Sequence, residues 1–257
     1  LALITVALRF YVRIKILKFV GSDDYIMLGA AILTIGSYIC FVGQASWGLG
    51  RHFTCLTPED TRMYSKWQFY LSLWPMFGVI LVKISVALFL MRLAPKRIWK
   101  SCLWGAIVFL ICFGLASAGT LIFSCIPIAA SWDANLAALP TTKCFSHHVF
   151  ASIGVFNSVI NIVTDFCFAL IPIPIIVNLQ INTRTKITLA AILSLGLVAC
   201  SAGIVKAHLQ ATFFSNHDPW WNDSFELWFM LELCLGIIAA SLPSLKPLFS
   251  SILSTTR

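Results

Sequence analysis

Apolar residues fall into six long runs, and the short segments between them hold nearly all of the charge. Residues 25–47 form a run of 23 with no charged side chain. Five more follow: 67–91 (25 residues, with Lys83), 101–130 (30, no charge), 149–177 (29, with Asp165), 187–214 (28, with Lys206) and 227–245 (19, with Glu232). Each meets the ~17–25 residues that a helix needs to cross hydrocarbon while bonding its own backbone. Nothing alternates with period two over ~10-residue segments, which argues against a membrane β-barrel. A shorter apolar stretch, residues 1–8, precedes Arg9. Ten helical residues rise only ~15 Å, about half the hydrocarbon core. The chain starts without Met, so the stretch reads as a first helix cut short. A signal-peptide remnant is the rival, but signals carry their basic residues before the apolar core, not after it. The pattern predicts an all-α polytopic bundle of seven transmembrane helices, the first truncated, in a single domain over residues 1–257.

Composition narrows the class. The chain is 59% hydrophobic and only 11% charged, where soluble domains carry about 25% charge. So few charges cannot cover a water-facing surface, which excludes an ordinary cytosolic enzyme and a disordered tail. The lipid bilayer is the expected partner, and a multi-pass protein of the plasma membrane or an endomembrane is the expected location. The net charge of +8 does not indicate nucleic acid, because the basic residues form no stripe and sit in loops.

Those loops set the orientation. Arg9, Arg13, Lys15, Lys18, Arg92, Lys96, Arg97, Lys100, Arg184, Lys186, Lys246 and Arg257 fall on one side; Arg51, Arg62, Lys66 and Lys143 fall on the other. Twelve against four makes the first side cytosolic, with the N-terminus outside and the C-terminus inside. Trp47, Trp67, Trp132, Trp220 and Trp221 then lie at the outer boundary, where indoles favour the interface. Asn222-Asp223-Ser224 becomes an outward glycosylation sequon.

Of nine cysteines, Cys55, Cys125 and Cys144 lie on the oxidising side. Three thiols leave one over; Cys125–Cys144 is the favoured pair, stapling the loop after the run 101–130 to its top. The five histidines (His52, His147, His148, His208 and His217) lie on or near the outer side. No CxxC pattern or ligand spacing supports a metal site, so none is expected.

The four charges inside runs are the strongest functional candidates, because such residues are costly in lipid. At ~1.5 Å per residue, Lys83 and Asp165 both lie ~24 Å from the outer boundary, Lys206 ~12 Å and Glu232 ~9 Å. They sort into a deep pair, Lys83 with Asp165, and a shallow pair, Lys206 with Glu232. Asn157, Asn161 and Asp165 share one helical face, as do Trp228, Glu232, Gly236 and Ala240. Gly203, Lys206 and Gln210 share a similar face. A polar network that only locks the bundle accounts for the deep set; the shallow set could equally line a pocket open to the outside.

Several strings together resemble the fungal rhodopsin-domain family, seven-helix receptor-like membrane proteins of filamentous fungi. They are Gly21-Ser-Asp-Asp24; Gly48-Leu-Gly50-Arg-His52; Lys83-Ile-Ser85 with Arg92; Cys125-Ile-Pro127 with Trp132 and Cys144; Asp165 before Pro172-Ile-Pro174; and Trp228, Glu232 and Pro243-Ser-Leu-Lys-Pro247. Lys206 and Lys246 stand where the resemblance leads one to expect arginine, so charge is kept and the planar fork is lost. The resemblance does not imply retinal: the last helix has only Lys246, near its cytosolic end, so no cofactor is expected. It does not by itself imply coupling to a G protein.

The leading functional expectation is a receptor-like protein. An outer-facing pocket of Lys206, Glu232, Trp228, His52 and Gln210 would bind a small-molecule or surface ligand, and cytosolic loops would engage a signalling partner. The alternatives are an intramembrane enzyme resembling terpene cyclases and a purely structural or transport protein. Against the enzyme, each carboxylate has a lysine at its own depth, which lowers a carboxyl pKa and weakens it as a proton donor. Against transport, the halves show no repeat and no paired broken helices.

Overall fold

A computed structural model describes residues 1–52, 56–94, 96–171, 183–212 and 224–255. The described residues are dominated by helix: α1 (Ala2–Tyr11), α2 (Ser22–Ser46), α3 (Pro58–Leu93), α4 (Arg97–Ile122), the short α5 (Ala134–Ala137), α6 (His147–Leu170), α7 (Thr183–Thr212) and α8 (Ser224–Thr255). Among the described residues, α2, α3, α4, α6 and α8 contain segments long and apolar enough to cross a membrane. Large apolar side chains such as Ile32, Ile39, Trp104, Leu115 and Phe156 point outward. In water such a surface would be unfavourable; in hydrocarbon it is the expected exterior.

Helix starts follow local chemistry. Thr57 caps α3, its hydroxyl accepting from the Asp60 amide while the Asp60 carboxylate accepts from the Thr57 amide, and Pro58 occupies the first turn. Ser146 caps α6 by accepting from the Val149 amide. These caps carry α3 and α6 beyond the apolar runs, so α3 begins nine residues before Trp67. The run 101–130 is not helical throughout: α4 stops at Ile122, and Cys125–Ile126 (β1) pairs antiparallel with Lys143–Cys144 (β2). Pro127, which has no N–H to donate, then precedes a 3₁₀ turn at Ile128–Ser131.

The β1–β2 register sets Cys125 opposite Cys144, and a disulfide joins them with a Cα–Cα distance of 4.0 Å. The loop it closes lies against the start of α3: Arg62 pairs with Asp133 at 3.2 Å, and Trp132 packs on Phe69 at 5.2 Å between ring centroids. Cys55 lies outside the described residues. Cys144→Ser should leave the span count unchanged and lower stability by ~3 kcal/mol, the entropy of a loop this size. Thermal unfolding of the two proteins in one detergent checks this, with peptide mapping under non-reducing conditions to score the bond.

α2 and α3 run antiparallel in close contact. Gly29, Gly36 and Gly43, seven apart on α2, face Leu81, Trp74 and Trp67 of α3 so closely that an added Cβ would crowd each of them. Small residues let the backbones approach, the usual device where lipid supplies no hydrophobic drive. Likewise, Gly236 of α8 packs on Val82 of α3. An apolar core joins α1, α2, α3 and α8 through Val6, Met27, Val79, Leu233 and Ile237.

At the end of the bundle opposite the disulfide, the structure corrects the reading of Arg9 and Arg13 as loop charges. Arg9 lies inside α1, 1% exposed, and Arg13 in the π-helical turn (Val12–Ile16) after it. Arg9 donates to Asp23 at 2.7 Å, to Asp24 at 2.8 Å and to the Ala240 carbonyl at 2.7 Å. Arg13 reaches Asp23 and Ser244, both at 3.3 Å. Arg92 of α3 pairs with the other oxygen of Asp23 at 2.6 Å, and Ser85 donates to the Asp23 carbonyl. Gly21 makes room for the Arg92 guanidinium, which any side chain there would meet. One cluster, buried except at Arg92, thus ties α1, α2, α3 and α8.

Candidate functional site

A cavity of about 380 Å³ lies among α3, α4, α6, α7 and α8. It extends from Ser65, Ser124 and Ser131, beside the disulfide loop, to Lys83 and Thr164. Its exposed wall is mainly apolar in area, and polar side chains reach it from α3, α4, α6, α7 and α8.

The polar residues form a connected set. Lys83 lies 2.9 Å from Asp165 and donates to the Asn161 side-chain oxygen at 2.7 Å and to Thr164 at 2.7 Å. The Asn161 carboxamide nitrogen donates to one oxygen of Glu232. The other oxygen accepts from Lys206 at 2.6 Å. Lys206 also sits over the Phe229 ring, 4.2 Å from its centroid. Lys83, Lys206 and Glu232 are all 5% exposed or less. Depth arithmetic separates two ion pairs; the structure links them through Asn161, which stands between and serves both. A charge buried so deeply is tolerable only when paired and hydrogen-bonded, and every member has such a partner.

Nearer the disulfide, Ser158 donates to the Gln210 side-chain oxygen at 2.6 Å and Ser117 to the Asn157 side-chain oxygen at 3.2 Å. Lys206, Gln210, Asn157, Asn161 and Lys83 line the cavity; Glu232 and Asp165 stand behind the lysines. Trp228 and His52 are not among the lining residues, and His52 is exposed in the segment after α2. His217, Trp220, Trp221, the Asn222 sequon and Pro172-Ile-Pro174 lie outside the described residues. Among those that are described, no cluster of three or more His, Cys, Asp or Glu side chains could hold a metal.

Sequence reasoning missed Ser117, which donates to Asn157; Ser158, which donates to Gln210; Thr164, which accepts from Lys83; and Phe229, which covers Lys206. Serine and threonine are frequent on apolar helices, so composition alone does not single them out. Ser158 and Thr164 each lie within three residues of a polar-line member, a signal that was available.

The model of the fungal rhodopsin domain matches residues 8–251, and the chain belongs to that family. Its relatives include a polyenoic acids biosynthesis gene cluster protein, Ba17b, of Metarhizium anisopliae, 27% identical over 98% of this chain and 71% of that protein. An SAT4 family membrane protein of Emericella nidulans is 27% identical over 82% of this chain and 52% of its own length. Receptor GIN3 of Arthrobotrys oligospora is 27% identical over 95% of this chain and 58% of its own length. The chain thus spans little more than half of the last two. No solved structure matches it. Membership in this family, together with five apolar helices of spanning length, makes the chain part of a multi-pass membrane protein.

Proposed function

We propose that the chain is the seven-helix membrane domain of a receptor-like protein, in which α1 and α7 complete the set begun by α2, α3, α4, α6 and α8. The observation that carries this is the cavity beside the disulfide loop, floored by an ion-pair network that joins α3, α6, α7 and α8. By the basic-residue count, the disulfide end faces outside and the segment 92–100 faces the cytosol. Lys206 and Gln210 contact the ligand, and Glu232 holds Lys206 in place. A ligand displacing one hydrogen bond of Lys206 redistributes the contacts of Glu232 and Asn161, and so of α3, α6 and α8 together. That a relative carries the name of a receptor supports this reading.

The test uses the chain with an environment-sensitive maleimide on Lys96→Cys, exposed cysteines being replaced, screened against a library of lipophilic small molecules. An impermeant maleimide applied to intact cells should leave that cysteine unlabelled, which checks the orientation. Molecules retained by the protein in native mass spectrometry should also change the label's emission. Retained molecules that leave the label silent would remove the sensor reading. Conversion of a retained molecule to a product of different mass would favour the intramembrane enzyme.

A further inference from the structure

Resting on the reading of the cavity as a ligand site, the arrangement of donors along its wall points to the ligand's chemical class. We infer that the cavity takes an elongated, uncharged, mainly apolar molecule that carries a hydrogen-bond-accepting carbonyl, as in a ketone, ester or lactone.

Three observations combine. The first is shape. The lining runs along α3 from Ser65 to Lys83, about 27 Å of helix, while the cavity measures only about 380 Å³. A long, narrow space suits a chain-like molecule better than a compact one.

The second is a surplus of donors. The Asn157 oxygen is taken by Ser117 and the Gln210 oxygen by Ser158. That leaves both carboxamide nitrogens without an acceptor among the described residues. Lys206 has three N–H bonds. Among the described residues one meets Glu232, and the ammonium stands over the Phe229 ring, so a further N–H remains. Asn157 and Gln210 are half-buried and line the cavity, so a ligand entering it displaces water from their donors, and one that accepts without donating replaces the hydrogen bonds so lost. An alcohol donates as well and would compete with Ser117 and Ser158 for the carboxamide oxygens.

The third is charge. Lys83 and Lys206 are matched by Asp165 and Glu232 at 2.9 and 2.6 Å. Glu226 also lines the cavity, 1% exposed, and accepts from Ser72. Among the described lining residues a carboxylate ligand would find no cation beyond these two paired lysines, and it would meet Glu226. An ammonium ligand would meet Glu226, but also two lysines and the donor nitrogens of Asn157 and Gln210.

The experiment uses the chain in lipid nanodiscs with four probes of similar length: tridecan-7-one labelled with ¹³C at the carbonyl, tridecane, tridecan-7-amine and dodecanoate. Occupancy is read by native mass spectrometry and the carbonyl environment by ¹³C NMR. The ketone should show roughly three- to ten-fold higher occupancy than tridecane, the fold-change of one net hydrogen bond. It should also give a second carbonyl resonance, downfield of the bilayer pool. Gln210→Met with Asn157→Leu should move that resonance upfield, toward the bilayer pool. Because the ketone and tridecane are compared on the unaltered protein, poor folding of the variant does not blunt the test. Preferred retention of the amine or of dodecanoate, or a retained ketone without the shifted resonance, would overturn the carbonyl assignment and leave the cavity a ligand site. Retention of none of the four would instead remove the ligand-site reading on which it rests.

Discussion

Asn in place of Asp23 should destabilise the protein by about 3–5 kcal/mol, the cost of stranding one partner of a buried ion pair. Asp23 is fully buried and meets Arg9 at 2.7 Å, Arg13 at 3.3 Å and Arg92 at 2.6 Å. The substitution keeps the side-chain shape but leaves three guanidinium groups around the single carboxylate of Asp24. Most of the loss belongs to Arg9, which is 1% exposed; the Arg92 side chain is 35% exposed, and water screens what it loses. Removing the stranded charge should recover part of the stability. Asp23→Asn combined with Arg13→Met is therefore expected to unfold at a higher temperature than Asp23→Asn alone. Exposed Lys15, changed to Gln, should fall within about 0.5 kcal/mol of the unaltered protein. Thermal unfolding of all four proteins in one detergent decides it. An Asp23→Asn protein as stable as the parent would mean that water reaches the cluster.

This cluster also marks the limit of what the sequence could disclose. Helices in lipid are legible because a continuous apolar run is the only way to hide their side chains, and α2, α3, α4, α6 and α8 all carry such runs. The Cys125–Cys144 bridge was legible because so few cysteines fall on the oxidising side. Charges at Lys83, Asp165, Lys206 and Glu232 stand out because lipid makes them rare. Arg9 and Arg13 did not stand out, because a basic residue beside an apolar run is normally read as a solvated loop charge. Only the acidic pair Asp23-Asp24, at the first turn of α2, hinted otherwise: two adjacent carboxylates beside the bilayer need cations nearby. Helix ends were blurred for a different reason. Apolarity measures exposure to lipid, whereas caps at Thr57 and Ser146 and the break after Ile122 depend on single side chains and on the β1–β2 pairing. Nor could spacing along separate helices show that Asn161 joins the two ion pairs, since that depends on how α3, α6 and α8 turn toward one another.

That junction gives the last expected result. Lys83→Met should cost about 3–5 kcal/mol, because Asp165 then stands without its cation in a low-dielectric interior. Glu232→Gln should cost less than Lys83→Met. The glutamine still accepts a hydrogen bond, and Lys206 retains the Phe229 ring beside it. If the two ion pairs were separate, the double variant would lose the sum of the two, within the ~0.3–0.5 kcal/mol expected of independent sites. Asn161 makes a different outcome necessary. It accepts from Lys83 and donates to Glu232, so either substitution frees it to turn away from the other partner. The Lys83–Glu232 cycle should therefore show a coupling of roughly 0.5–3 kcal/mol, the range of residues in one network. Repeating the cycle in an Asn161→Ala background should reduce that coupling to within the additive range. Additivity in the parent background would mean that the pairs act separately. Undiminished coupling without Asn161 would place the connection elsewhere, in the direct field of the charges across the cavity floor.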